Sequence, residues 1–220
     1  MLLHPTTCGE RDLIAAARTT TDPDDRAAAR IVLAQGRLFA PKPWPATGAP
    51  RRGSPAHCFA NAMRVAHRTG GAYVEGFVLA AGRLRRHAWC AQADGAVLDP
   101  TWPRGETPQA YLGVPMAPWF VNTFQQRTLT KTCFPGVLDA RVQAERDADR
   151  IYRDGVPAAA LLDLGTPVPP ETGSWPATPW RQLCAAREHV PRVAEAIGSA
   201  DRRRAARPGR CQCPVPGCDP

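Results

Sequence analysis

The sequence predicts a mixed helix-and-sheet domain in which a helix feeds a run of antiparallel strands. Two observations carry this expectation. Apolar residues recur at helical spacing in AAARIVLAQ and again in CFANAMRVAHRT, and beyond Gly70 the chain switches to short β-rich runs separated by Gly-containing turns. A length of 220 residues suits one main domain with an appendage and is enough to bury a core.

The first helix is expected over Asp22 to Gln35. Asp22 serves as N-cap, Pro23 takes the first helical position, Asp24 and Asp25 sit near the positive dipole end, and Gly36 follows. A Pro- and Gly-rich loop, Pro41 to Pro55, then delivers the chain to CFANAMRVAHRT. There Phe59, Ala62, Met63 and Ala66 share a face before Gly70 stops the helix, which places Cys58 at or just before its N-terminus. Next come AYVEGFVLA, the turn AAGRL, RHAWCAQ, the turn ADG and AVLDPTW, with AYLGVPM as a further strand. VLDARVQAERDADRIYRD is amphipathic and is expected to be a helix closed by Gly155, with Pro157 beyond. The folded domain is expected to span residues 1–165. A Pro-, Thr-, Gly- and Ser-rich linker over 166–179 and a basic, Cys-containing tail over 180–220 follow.

Charge is uneven along the chain. The formal net charge is +8, Lys42 and Lys131 are the only lysines, and much of the arginine surplus lies between Arg181 and Arg210. Arg202, Arg203 and Arg204, with Arg207 and Arg210, make a possible nucleic-acid contact, but no aromatics interleave with them and such runs are most often solvated. There is no apolar run of 18 residues and no basic start followed by a signal-length apolar core, so the protein is expected to be soluble and cytoplasmic. Five of the eight cysteines are scattered, which suits core or catalytic thiols in a reducing compartment better than a disulfide framework. Cys211, Cys213 and Cys218 fall one ligand short of a four-ligand zinc site unless Cys184 or a histidine joins them, so no metal and no cofactor is expected.

Cys58 is the candidate nucleophile. A thiol attacks as thiolate, and its ordinary pKa of about 8.5 falls at a helix N-terminus or beside a histidinium. A helix-start cysteine, a strand histidine (His87) and a carboxylate on the next strand (Asp99) follow the chain order in which many thiol acyl-transfer enzymes assemble a triad. The sequences CFANA, YVEGFV, HAW and LDPTW, within Gly53 to Trp102, resemble the transglutaminase-like branch of the papain-like cysteine enzymes. That resemblance implies an α+β fold with Cys58 as nucleophile, His87 as base and Asp99 as the group orienting the base.

One departure concerns the oxyanion hole. Papain-like enzymes often carry a Gln a few residues before the nucleophile, whereas RRGSPAH stands here and no Gln lies nearer than Gln35. The donors left are the Cys58 N–H with Gln35, with His57, or with no side chain. Asn61, one helical turn after Cys58, is positioned to touch the site, although satisfying a helix neighbour is its simpler role.

The turn between the His87 and Asp99 strands decides whether the triad can form. A two-residue turn at Asp94-Gly95 sets Cys90 opposite Asp99 and sends His87 to the other face. A three-residue loop, Ala93-Asp94-Gly95 with Gly95 left-handed, pairs Gln92 with Ala96 and Trp89 with Asp99, which makes His87 and Asp99 same-face diagonal neighbours. The second register is predicted.

Other residues have plainer expectations. His67 is expected at the surface, Glu75 on an exposed strand face, and Trp89 and Trp102 in the core or shielding His87. Arg85 shares the His87 face, where its charge favours a thiolate and an acidic substrate, and Arg83 and Arg86 suit a solvated turn. The expected activity is acyl transfer or hydrolysis at an amide or ester carbonyl of a peptide, protein or small amide, through a thioester. Two alternatives stand. Arg52-Gly53 and Asn61 also suit an arylamine N-acetyltransferase-like enzyme, and a catalytically dead binding module using the basic tail needs no active thiol.

Overall fold

The computed structural model describes residues 7–45, 47–102, 106–127, 134–138, 151 and 154–169. A compact unit ends at Val168. Its architecture is α+β: helices packed on an antiparallel sheet.

Helix α1, Cys8–Thr19, begins with a capping box in which Glu10 N–H donates to Thr7 Oγ1 at 3.2 Å and Thr7 N–H to Glu10 Oε2 at 2.7 Å. Helix α2, Pro23–Gln35, starts as its sequence predicts, with the Asp22 carboxylate accepting from Asp24 and Asp25 N–H. Strand β1, Arg37–Phe39, leads to the long loop and then to helix α3, Cys58–Thr69, which ends at left-handed Gly70.

Strands β2, Ala72–Ala80, and β3, Arg83–Ala91, form a hairpin closed by Ala81 and Gly82, both at positive φ, the backbone of a tight two-residue turn. Strands β4, Val97–Leu98, and β5, Ala110–Met116, precede helix α4, Pro118–Arg127, and strand β6, Thr166–Pro167. The sheet order is β4-β3-β2-β5-β1-β6, with every pairing antiparallel. Thr166 and Pro167 therefore extend the sheet against Arg37 and Leu38, at the point where the sequence predicts the start of a linker.

The central strands are buried on both faces. On one face Tyr73, Phe77, Ala88, Cys90, Leu112 and Val114 pack with Leu13 and Ile14 of α1, Val32 of α2 and Ala62 and Val65 of α3. On the other face Phe39, Val74, Val78, Trp89, Val97 and Tyr111 form a second cluster. At about 25 cal/mol per Å² of buried apolar surface, these two clusters are the principal source of stability.

The helix expected over residues 137–154 lies mostly outside the described residues. Val137 and Leu138 are not helical, whereas Ile151 and Asp154 are, and Gly155 (φ 82) closes that end by donating to the Ile151 carbonyl at 2.8 Å. The expected tail, including Cys184, Arg202, Arg203, Arg204, Arg207, Arg210, Cys211, Cys213 and Cys218, also lies outside them. Among the described residues no helix is long and apolar enough to cross a membrane.

Candidate active site

Cys58 is the first residue of α3, half-buried, and His57 at the N-cap provides no side-chain cap to the helix. The N–H groups of the first turn therefore point at the surroundings of the thiol with their partial positive charge uncompensated by a cap.

His87 reaches the same place from β3. The loop after β3 has three residues: Gln92 N–H donates to Ala96 O at 2.9 Å, Gly95 is left-handed at φ 78, and Asp94 Oδ1 accepts from Ala96 N–H. Cys90 then pairs with Leu98 and Ala91 with Val97, which is the register that brings His87 and Asp99 to one face. His87 Nε2 and Asp99 Oδ2 are 2.7 Å apart, with the two side chains 5% and 4% exposed. That leaves Nδ1 as the ring nitrogen available to Cys58, whose thiol is near enough to help raise the His87 pKa.

The balance of forces on the ring is clear in sign. Burial opposes the charged imidazole most strongly, but the Asp99 carboxylate and its hydrogen bond, reinforced by Cys58, outweigh it and hold the His87 pKa up at about 9. The ring thus favours the imidazolium that a thiolate needs beside it.

Asp99 is itself immobilised. Oδ1 accepts from Thr101 N–H at 3.0 Å and Oδ2 from the Tyr111 hydroxyl at 3.0 Å. Burial and the neighbouring carboxylate push the Tyr111 hydroxyl far above its ordinary range, so it stays a donor. Aromatic rings enclose the imidazole: Trp89 stacks at 6.5 Å and Trp102 meets it edge-on at 5.4 Å. Gly113 makes room for this, because a Cβ there would lie 2.6 Å from the Trp89 ring.

The Asp99-Pro100-Thr101 turn also holds the loop that precedes the nucleophile. Pro100 O accepts from Gly53 N–H at 2.8 Å, and Asn61 Nδ2 donates to Ser54 O at 2.7 Å and to Thr101 Oγ1 at 3.3 Å. A side chain at Gly53 would overlap the Asn61 amide. Arg52 donates to Trp102 O and lies 5.0 Å over the Trp44 ring. Asn61 is therefore a buried tie between three segments of the site, more than a satisfied helix neighbour.

Other expected residues fall elsewhere. Gln35 uses both ends of its amide on the Val156 backbone, Nε2 to O at 2.9 Å and Oε1 from N–H at 2.8 Å, so its donor is spent away from the thiol. His67 pairs with Asn122 Oδ1 at 2.8 Å. Glu75, expected on an exposed face, is fully buried, because β2 lies in the middle of a sheet covered on both sides. Arg86, expected in a solvated turn, has a side chain only 16% exposed and pairs with Glu75 at 3.0 Å, whereas Arg83 and Arg85 are exposed.

Sequence reasoning passes over Tyr111 and Thr101. The DPT motif is the available signal for Thr101, and Tyr111 is detectable only as an alternate-face residue of β5. Among the described residues no group of three His, Cys, Asp or Glu side chains suits a metal ion. No protein-family model matches the chain, and neither a curated protein nor a solved structure matches it.

Proposed function

We propose that this protein is a cysteine-dependent acyl-transfer enzyme, similar in fold and chemistry to the transglutaminase-like branch of the papain-like cysteine enzymes. The observation that carries the reading is the position of His87 between the Cys58 thiol and the Asp99 carboxylate, buried and 2.7 Å from the latter.

The chemistry derives from those three groups. His87 takes the thiol proton, and the thiolate attacks the carbonyl of an amide or ester in a peptide, protein or small amide. Negative charge developing on the carbonyl oxygen meets the Cys58 N–H and the uncapped first turn of α3. Collapse to the thioester breaks the bond to the leaving group, which receives the proton from His87. Water or an amine, deprotonated by the same ring, then resolves the thioester. Asp99 keeps the ring oriented and stabilises its charged form. Free Cys8, Cys58 and Cys90 suit reducing surroundings, and we place the activity in the cytoplasm.

Thioester trapping tests the reading. The intact protein is incubated with a panel of peptide, amide and acyl donors, acetyl-CoA among them, and the acylated residue is mapped by mass spectrometry. Cys58→Ala should lose the label, His87→Ala should slow it by about a hundredfold or more, and Asp99→Asn should be the mildest of the three. Labelling that persists in Cys58→Ala, or that ignores His87→Ala, sinks the proposal.

A further inference from the structure

The proposed reaction leaves unused a buried carboxylate and its donors on the opposite face of the sheet from His87. Glu75 is 0% exposed and every direction around its carboxylate is occupied. Tyr73 Oη donates to Oε2 at 2.9 Å, Arg86 to Oε1 at 3.0 Å, Val137 N–H to Oε2 at 2.6 Å and Leu138 N–H to Oε1 at 2.9 Å. A carboxylate buried in this way is costly unless fully bonded, and breaking one partner leaves a large uncompensated penalty.

The two backbone donors are informative, because they belong to a segment remote in sequence that has no ladder of its own. Phe134 packs its ring against Tyr73 at 5.9 Å, and Gly136 takes a left-handed φ of 99. A Cβ at Gly136 would lie 2.5 Å from Glu75 Oε1 and 2.8 Å from the ring of Phe59, the residue following Cys58. Arg86 completes the link, with its guanidinium 6.0 Å from the Phe59 ring centre. Phe59 is the second residue of α3, so the cluster stands beside the nucleophile's end of that helix.

We propose that Glu75 is a positioning residue for the thiol site: its carboxylate seats residues 134–138 against Phe59 as a wall, and that wall limits the size of the acyl group that reaches Cys58. The inference rests on Cys58 being the reactive thiol. It assigns neighbouring β3 residues to two tasks, His87 to the chemistry on one face and Arg86 to the wall on the other.

Alkylation selectivity tests it on the full chain. Rates of Cys58 modification are measured with iodoacetamide and with a bulky aryl iodoacetamide, in the wild type and in Glu75→Gln and Gly136→Ala. Glu75→Gln places an NH2 against one of the backbone donors, and Gly136→Ala forces the segment off its seat from the other side.

Both variants should lower the preference for the small reagent by about tenfold, the scale on which apolar walls discriminate size. The rate with iodoacetamide itself should stay within about twofold. A preference unchanged in either variant that retains a cooperative melt overturns the wall. Should Glu75→Gln fail to fold, Gly136→Ala decides alone, since it leaves the carboxylate in place. Failure of the underlying reading looks different: His87→Ala would then leave the iodoacetamide rate unaltered, whatever the size preference does.

Discussion

Replacing Asp99 by Asn probes the balance on which the site depends. In the native protein the imidazole is nearly free of solvent, and burial alone would drive it to the neutral form. Its rise from 6.5 to about 9 corresponds to roughly 3 kcal/mol in favour of the imidazolium, net of that burial. Asn keeps the size and an acceptor but removes the charge, leaving only the smaller contribution of Cys58 against desolvation. The ring of Asp99→Asn should therefore titrate below 6.5, while the wild-type ring titrates near 9. NMR of the imidazole carbons, assigned with His87→Gln, reads both midpoints.

The same roughly 3 kcal/mol sets about a hundredfold as the upper bound on the loss in acylation at neutral pH, so Asp99→Asn should stay milder than His87→Ala. It also predicts a pH-dependent stability. The folded pKa lies above the unfolded value, so the stabilisation is fully present below about 6.5 and is lost as pH rises through about 9. Urea denaturation across that window should show the decline in the wild type and a flatter profile in Asp99→Asn. A wild-type ring that titrates near 6.5, or a variant ring that still titrates near 9, refutes this balance of forces.

Tyr111→Phe removes one donor from Asp99 and leaves the carboxylate charged, so it should cost about 2 kcal/mol in urea denaturation while His87 still titrates above its ordinary value. Gly53→Ala drives a methyl into the Asn61 amide and should cost about 1–3 kcal/mol, with slower Cys58 alkylation because the tie to Ser54 and Thr101 is displaced. An alanine variant as stable and as reactive as the wild type would show that this contact yields without consequence.

The parts of the fold legible in the sequence are those governed by local chemistry. Asp22-Pro23-Asp24-Asp25 states the start of α2 in capping residues, and Gly70 states the end of α3. Helix α1 carries a local signal too, since Thr7-Cys8-Gly9-Glu10 has the spacing of a capping box, but the apolar run behind it is short. Strands β1 and β6 are of another kind. Three and two residues long, they carry no periodicity, and they exist because β5 offers an unpaired edge to Arg37–Phe39, which in turn offers one to Thr166–Pro167. The misplacement of Glu75 has the same origin. AYVEGFVLA is apolar but for Glu75, a lone carboxylate whose default place is solvent, and only the sheet order puts it in the centre with donors around it.

The candidate site divides along the same line. The register at Ala93-Asp94-Gly95 can be argued from residue types because Gly95 is the residue that tolerates a left-handed backbone and side-chain alternation does the rest. Apart from the local Thr101-to-Asp99 bond, which the DPT motif signals, the contacts that hold the three groups rigid are invisible in the sequence, since they join distant segments. Within three residues, Asp99 receives His87, Thr101 and Tyr111, Pro100 receives Gly53, and Thr101 receives Asn61 from the helix that carries Cys58. A base and a nucleophile on separate elements need such a common support, because small errors in position are expensive in rate. The Asp-Pro-Thr turn provides it: it orients the imidazole, and it also holds the nucleophile's loop and helix to the strand that carries the base.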